Sequence, residues 1–298
     1  MELLKIFEEG PERKRKPGVF WVSDSCECPR KVLYALRGEE KGKKPRRLFY
    51  RMIAGLGAEK ALLDLLPKLD GTNSQHIVEV LPDYIDEADL EYALGKGLSG
   101  QIGKSYVYQF PFRRARDGLE VHGKVDFLAL IRDELFVLEV KQTHFQGERE
   151  VIRKGKIFPS FLAQLSFYSE ELKLPGKLLV FTVNGEAREF EFRGGRVEGK
   201  EERIGGLPPH EFAWRRLSFL REAKPEDFPI GRDGQVFTLS FPEGFPLHEE
   251  DVYSLVINRK GRPTAEAKAK GKALKSSRCH ICDYRLLCYP DLPWKEEG

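Results

Sequence analysis

Apolar positions along this chain change period several times, and each change marks an element. Residues 28–37 (CPRKVLYALR) read as a short helix, with the preceding SDS turn able to supply an N-cap. Residues 38–47 (GEEKGKKPRR) read as a basic loop, and 48–66 carry apolar side chains at the spacing of a long helix. HIVEVLP (76–82) reads as a strand, as does the alternating SYVYQFPF (105–112). EVHGKVDFLALI (120–131) and ELFVLEVKQT (134–143) are β-rich and meet across Arg132–Asp133, which predicts an antiparallel hairpin. They are too apolar for an edge and read as central strands buried on both sides. PSFLAQLSFYSEEL (159–172) follows as an amphipathic helix with Pro159 near its start. Residues 177–193 form a second hairpin around Asn184–Gly185, and 210–223 a further helix. After Lys224 the period is lost, and helical character returns from Ala265 to Lys275. Helices, then strands, then a helix predict an α/β layer fold with a mixed sheet.

Composition narrows the class. The chain has 298 residues, enough for a sizeable core without disulfide staples. Charged residues make up 33%, yet 50 basic against 47 acidic residues leave a net charge of only +3. That balance neither demands nor excludes nucleic acid, because a basic cleft can coexist with an acidic remainder. Abundant Lys, Arg and Glu with two Met resemble a thermophile's composition. No apolar run reaches the ~18–20 residues of a membrane span. Residues 1–20 lack a signal peptide's apolar stretch, so the expected setting is cytoplasmic, with no membrane partner.

The central hairpin carries the chemistry. Pairing outward from Arg132–Asp133 sets Asp126 opposite Glu139, while Glu139 and Lys141, two apart, share a strand face across Val140. Two close carboxylates raise each other's pKa. A hard divalent cation, magnesium or manganese, relieves that conflict. Lys141 would then hold and polarise water attacking a phosphorus atom. The competing reading is a cross-strand ion pair on an exposed face. The apolar surroundings oppose it, since charges buried there need a partner.

A second constellation lies near the C-terminus: Cys279-His-Ile-Cys282-Asp-Tyr-Arg-Leu-Leu-Cys288. A tetrahedral site needs a fourth ligand from afar, and Cys26 or Cys28 can supply it. Both zinc and an iron–sulfur cluster satisfy that count.

Gly123-x-x-Asp126, a turn and Glu139-Val140-Lys141 together resemble the PD-(D/E)XK nuclease superfamily. Gln164-x-x-x-Tyr168 matches the Q-x-x-x-Y motif of its RecB-like branch. With a Cys in a C-P-R-K helix start and C-x2-C-x5-C closing the chain, the whole is similar to the iron–sulfur RecB-like exonucleases, whose best-known members are CRISPR-associated adaptation nucleases. The resemblance implies a restriction-endonuclease-like mixed central β-sheet flanked by helices, with N- and C-terminal segments joined by a 4Fe-4S cluster. It implies one nuclease unit over 1–298, with a cluster-ligand helix at 20–40, the nuclease core at 47–200 and a C-terminal helical region with the cysteines at 201–298. It implies a Mg2+- or Mn2+-dependent deoxyribonuclease, an exonuclease on single strands or DNA ends, in CRISPR spacer acquisition alongside the adaptation proteins. A stand-alone repair nuclease and a non-catalytic cluster- or zinc-stabilised DNA-binding protein are the alternatives.

By the same resemblance Asp126, Glu139, Lys141, Gln164 and Tyr168 are catalytic. Asp126, Glu139, Val140 and Glu59 are the metal positions, and Cys28, Cys279, Cys282 and Cys288 hold the cluster, leaving Cys26 spare. Glu59 departs from the family, because Gly55-Leu-Gly-Ala-Glu59 stands where relatives have G-x-x-x-H. It is read either as a third carboxylate ligand or as a solvated helix-face residue. Arg30, Lys31, Arg46, Arg47 and Arg51 are the expected DNA phosphate contacts.

Overall fold

The computed structural model describes residues 16, 18–42, 57, 59–143, 148–182, 185–269, 272–276, 279 and 282–294. Arg46, Arg47 and Arg51, with the second half of the basic loop, lie outside them. The chain divides into two compact units: one of Phe20–Cys26 and Ile53–Leu217, the other of Met1–Val19, Glu27–Met52 and Ser218–Gly298.

The first unit is built on an eight-stranded mixed sheet. Its strands are β1 (Phe20–Trp21), β2 (Tyr106–Arg116), β3 (Leu119–Ile131), β4 (Glu134–Thr143), β5 (Gly176–Thr182), β6 (Ala187–Arg193), β7 (Arg196–Val197) and β8 (Lys200–Glu201). β3 runs antiparallel to β2 and β4, β4 parallel to β5, and β5 antiparallel to β6, while β1 joins the early half of β3 in parallel. Val137 and Phe127 to Leu130 are all but inaccessible, as expected of central strands. The parallel β4–β5 step needs a crossover. A helix, Pro159–Leu172, lies in that connection and buries Leu162, Leu165, Phe167 and Tyr168. Residues 59–65 are helical, and Leu62 and Leu66 pack with Phe127, Ala129, Leu138 and Val140. The predicted helix over 48–66 is thus seen from 57 onward. In chain order the helices are α1 (Pro29–Leu36), α2 (59–65), α3 (Ile77–Tyr84), α4 (Glu87–Gly95), α5 (Pro159–Leu172), α6 (Pro209–Glu222) and α7 (Arg285–Cys288). Among the described residues no helix is long and apolar enough to cross a membrane.

Three local expectations are overturned. HIVEVLP is not a strand but α3. His76 and Glu79 close a capping box, and Ile77, Val80 and Leu81 are buried at i, i+3 and i+4, a helical period hidden in a β-branched run. The SDS turn does not cap α1. Val22–Cys26 forms a 3-10 helix in which Asp24 accepts from Trp21 N at 2.6 Å, and Cys28 stands at the N-cap without a side-chain bond. The expected helix over 265–275 is a hairpin of β13 (Glu266–Ala269) and β14 (Lys272–Lys275). Alternation of small and charged residues overrides the helix propensity of Ala and Lys there.

In the second unit, the stretch without clear period forms a four-stranded antiparallel sheet: β9 (Ile230–Asp233), β10 (Val236–Leu239), β11 (Ser254–Ile257) and β12 (Pro263–Thr264). The region 201–298 is therefore not simply helical. Its core is aromatic, with Phe228 edge-on to Phe245 at 5.1 Å and Phe241 stacked on Phe245 at 5.6 Å.

Candidate active site

The site begins with a turn. Arg132 and Asp133 both take positive φ, 51° and 63°, the conformation of a tight β-hairpin, and they fix the β3–β4 register from Ile131↔Glu134 to Phe127↔Leu138. One step further the carboxylates replace the regular ladder. Asp126 Oδ2 accepts from Val140 N at 2.9 Å, and Glu139 Oε1 accepts from Asp126 N at 3.3 Å. Each acidic side chain thus satisfies the other strand's backbone where the strands part.

Lys141 lies between them, donating to Glu139 Oε2 at 2.6 Å with its Nζ 3.5 Å from Asp126 Oδ2. Glu139 is wholly buried, and Asp126 and Lys141 keep only 14% and 18% of their side-chain surface. Burial, and then the Asp126 charge, push the Glu139 carboxyl well above the usual carboxylate range, against the pull of Lys141. Burial disfavours the Lys141 ammonium, but Glu139 and Asp126 outweigh it and hold the lysine protonated.

Glu59 reaches the same neighbourhood from α2. Its Oε2 accepts from the Tyr108 hydroxyl at 3.0 Å and from Gln109 Nε2 at 3.4 Å. Burial and the Asp126 charge raise its pKa, so it is not a solvated helix-face glutamate. Tyr108 and Gln109 were not read as site residues. The alternating SYVYQFPF marks them only as strand, and nothing in it signals the positive φ of 54° at Gln109. Val140 turns its side chain into the α2 core, leaving only its backbone to face a ligand.

Tyr168 and Gln164, one turn apart on α5, hydrogen-bond each other. The Tyr168 hydroxyl accepts from Lys124 N at 3.2 Å, and burial followed by the Glu139 and Asp126 charges lifts its pKa far up. Gly123 makes this approach possible, since a Cβ there would sit 2.5 Å from the Tyr168 hydroxyl oxygen.

The donor set suits a hard cation. Asp126, Glu139 and Glu59 supply oxygen only, and Glu139 and Glu59 are raised first by burial and then by the Asp126 charge, which a positive ion would offset. Among the described residues, however, no three His, Cys, Asp or Glu side chains converge tightly enough to hold an ion, and between Asp126 and Glu139 the ammonium of Lys141 stands instead.

The second unit gathers the cysteines. Cys28, Cys279, Cys282 and Cys288 form no disulfide and lie near enough for their charges to interact. Burial, with the other three thiols adding, pushes Cys28 well up, and burial takes Cys282 to about 12 and Cys288 to about 11. Among the described residues no three of these thiols converge tightly enough to hold an ion. Cys26 belongs to the other unit, buried with Sγ 3.7 Å from the Pro159 carbonyl oxygen. Arg30 and Lys31 sit among the thiols. Arg30 donates to Phe228 O at 3.1 Å and to the Tyr34 hydroxyl at 2.5 Å, and feels Cys288 and Cys28. Lys31 pairs with Glu27 at 2.9 Å and feels Cys282 and Asp283.

No protein-family model matches this chain. Over 92 residues it is 26% identical to non-structural polyprotein 1A of Avian nephritis virus 1, a match over 29% of this chain and only 9% of the polyprotein. The crystal structure of SSO0001 superposes over 74% of this chain and 82% of its own, with 18% identity and a TM-score of 0.36. Neither similarity shows a family.

Proposed function

We propose that this protein is a metal-dependent deoxyribonuclease that hydrolyses phosphodiester bonds, acting on single strands or DNA ends. The observation that carries the reading is the meeting of Asp126, Glu139 and Lys141 within 2.6–3.5 Å where β3 and β4 part. Asp126, Glu139, Glu59 and the Val140 backbone would hold Mg2+ or Mn2+. When bound, the cation supplies charge stabilisation at the scissile phosphate. Lys141, kept protonated by its carboxylates, is a hydrogen-bond donor and a positive charge rather than a base. It orients water by donating a hydrogen bond to the water oxygen and offsets negative charge that develops on phosphate oxygens. Tyr168, itself partnered by Gln164, anchors the β3 backbone at Lys124, two residues before Asp126, and so positions its carboxylate.

The other unit, in this proposal, holds a structural 4Fe-4S cluster on Cys28, Cys279, Cys282 and Cys288, a reading supported by the C-x2-C-x5-C spacing and the nearness of Cys28 to the other three. CRISPR spacer acquisition is the proposed setting, and it rests on motif resemblance alone. The test is digestion of end-labelled single-stranded and duplex DNA with Mg2+, Mn2+ or EDTA. Cation-dependent nucleotide release supports the reading. No release in either cation contradicts it. Iron content and visible absorbance of anaerobically purified protein test the cluster.

A further inference from the structure

On the early half of β3, residues alternate between buried Val121, Gly123 and Val125 and half-exposed His122 and Lys124. His122 stands in a row across three strands, paired with Trp21 on β1 and with Arg113 on β2. Trp21 meets the His122 ring edge-on at 6.4 Å. Tyr92, from α4, closes the row, its hydroxyl 3.3 Å from His122 Nδ1. On its other side His122 Nε2 hydrogen-bonds the Glu120 carboxylate. Two cations flank the Tyr92 ring, Arg113 at 5.1 Å and Lys96 at 5.4 Å from its centroid. All these residues belong to the unit that holds Asp126.

We infer that the Trp21–His122–Tyr92 row, with Arg113, Lys96 and Lys124, is a binding site for a single DNA strand on its way to Asp126. This rests on the nuclease reading and deepens it by naming where the substrate lies. The chemistry is that of strand recognition without sequence. Aromatic faces stack bases of any kind, and neighbouring cations take the phosphates. Trp21, half-buried and carried by a two-residue strand, offers a ring to a base. Arg113 is exposed, and the Tyr92 ring holds its guanidinium beside that face while its charge stays available. His122 precedes Asp126 by four residues, about 13 Å along the strand, a reach of a few nucleotides.

The test is fluorescence anisotropy of a labelled oligothymidine with the full chain carrying Asp126→Asn, in EDTA, at several salt concentrations. Added Trp21→Ala should weaken binding by about 5- to 100-fold, the loss of one base stack. Trp21→Phe should retain most of the affinity. Arg113→Gln, on an exposed side chain that cannot threaten folding, should weaken binding several-fold and lower the salt slope by about 1. If both Trp21→Ala and Arg113→Gln bind like their parent while the wild type still cleaves DNA, the row is not the strand site and the nuclease reading stands. If the parent binds no DNA and the wild type cleaves none, the nuclease reading falls and the row with it.

Discussion

The carboxylate region and the cysteine region both bury ionisable side chains, and they gather them by different means. At the hairpin the compensating charge is local: Lys141, two residues from Glu139, lies 2.6 Å from it. At the cysteines, Cys28 gathers with three thiols some 250 positions downstream, and Arg30 and Lys31 of α1 bring the positive charge. The difference teaches where a sequence speaks plainly. A tight turn and a period of two suffice to set Asp126 against Glu139. No such rule sets residue 28 against residue 279, and only the cysteine spacing hinted at it.

The largest expected effect breaks the hairpin side. Asp126→Ala removes the acceptor of Val140 N and a cation ligand together. Single-turnover cleavage should fall by ~10³-fold or more while DNA binding survives. A near-normal rate would leave the carboxylates as structural charges.

On the cysteine side, Cys28→Ser should strip iron from anaerobically prepared protein and lower its thermal midpoint, because a structural metal site is coupled to folding. Cys26→Ser, in the other unit, should retain the iron. Stoichiometric zinc without iron in the wild type would replace the cluster assignment.

Gly123→Ala sharpens the comparison by probing packing beside the carboxylates rather than charge. Its new Cβ meets the Tyr168 ring and hydroxyl at 2.5–2.9 Å, so urea unfolding should show a loss of about 1–3 kcal/mol. An unchanged midpoint would mean that α5 moves freely against β3.

These outcomes bear on how much was legible. The hairpin, α5 and the meeting of Asp126 with Glu139 follow from alternation, turn residues and Pro at a helix start. The α3 helix was missed because β-branched Ile77, Val78 and Val80 mimic a strand, while the deciding signal was a His at the N-cap. The β9–β12 sheet was missed because its strands are four residues or fewer and separated by Pro and Gly, too short to show a period. Tyr108 as a partner of Glu59 depends on how α2 packs on the sheet, which no local pattern encodes.

The smallest effect concerns that partner. Glu59→Ala should raise the cation concentration needed for half-maximal cleavage several-fold, less than Asp126→Ala lowers the rate. Glu59→His adds a nitrogen donor and should shift preference from Mg2+ toward Mn2+. Superimposable titrations would remove Glu59 from the site.

The central claim, that a buried carboxylate pair steadied by Lys141 does the chemistry, is tested most directly by one pH series of DNA cleavage in Mg2+ for wild type and Glu139→Gln. In the metal-free protein burial and Asp126 raise the Glu139 pKa, so its proton is held to higher pH than in an ordinary carboxylate, and a cation must displace that proton to be held there. Proton and cation therefore compete for Glu139, and the Mg2+ concentration needed for half-maximal wild-type cleavage should fall as pH rises. Glu139→Gln should stay at least ~10³-fold lower throughout, with its fold intact by circular dichroism. Equal rates for the two proteins, or a half-maximal Mg2+ concentration that does not change with pH, would contradict the account.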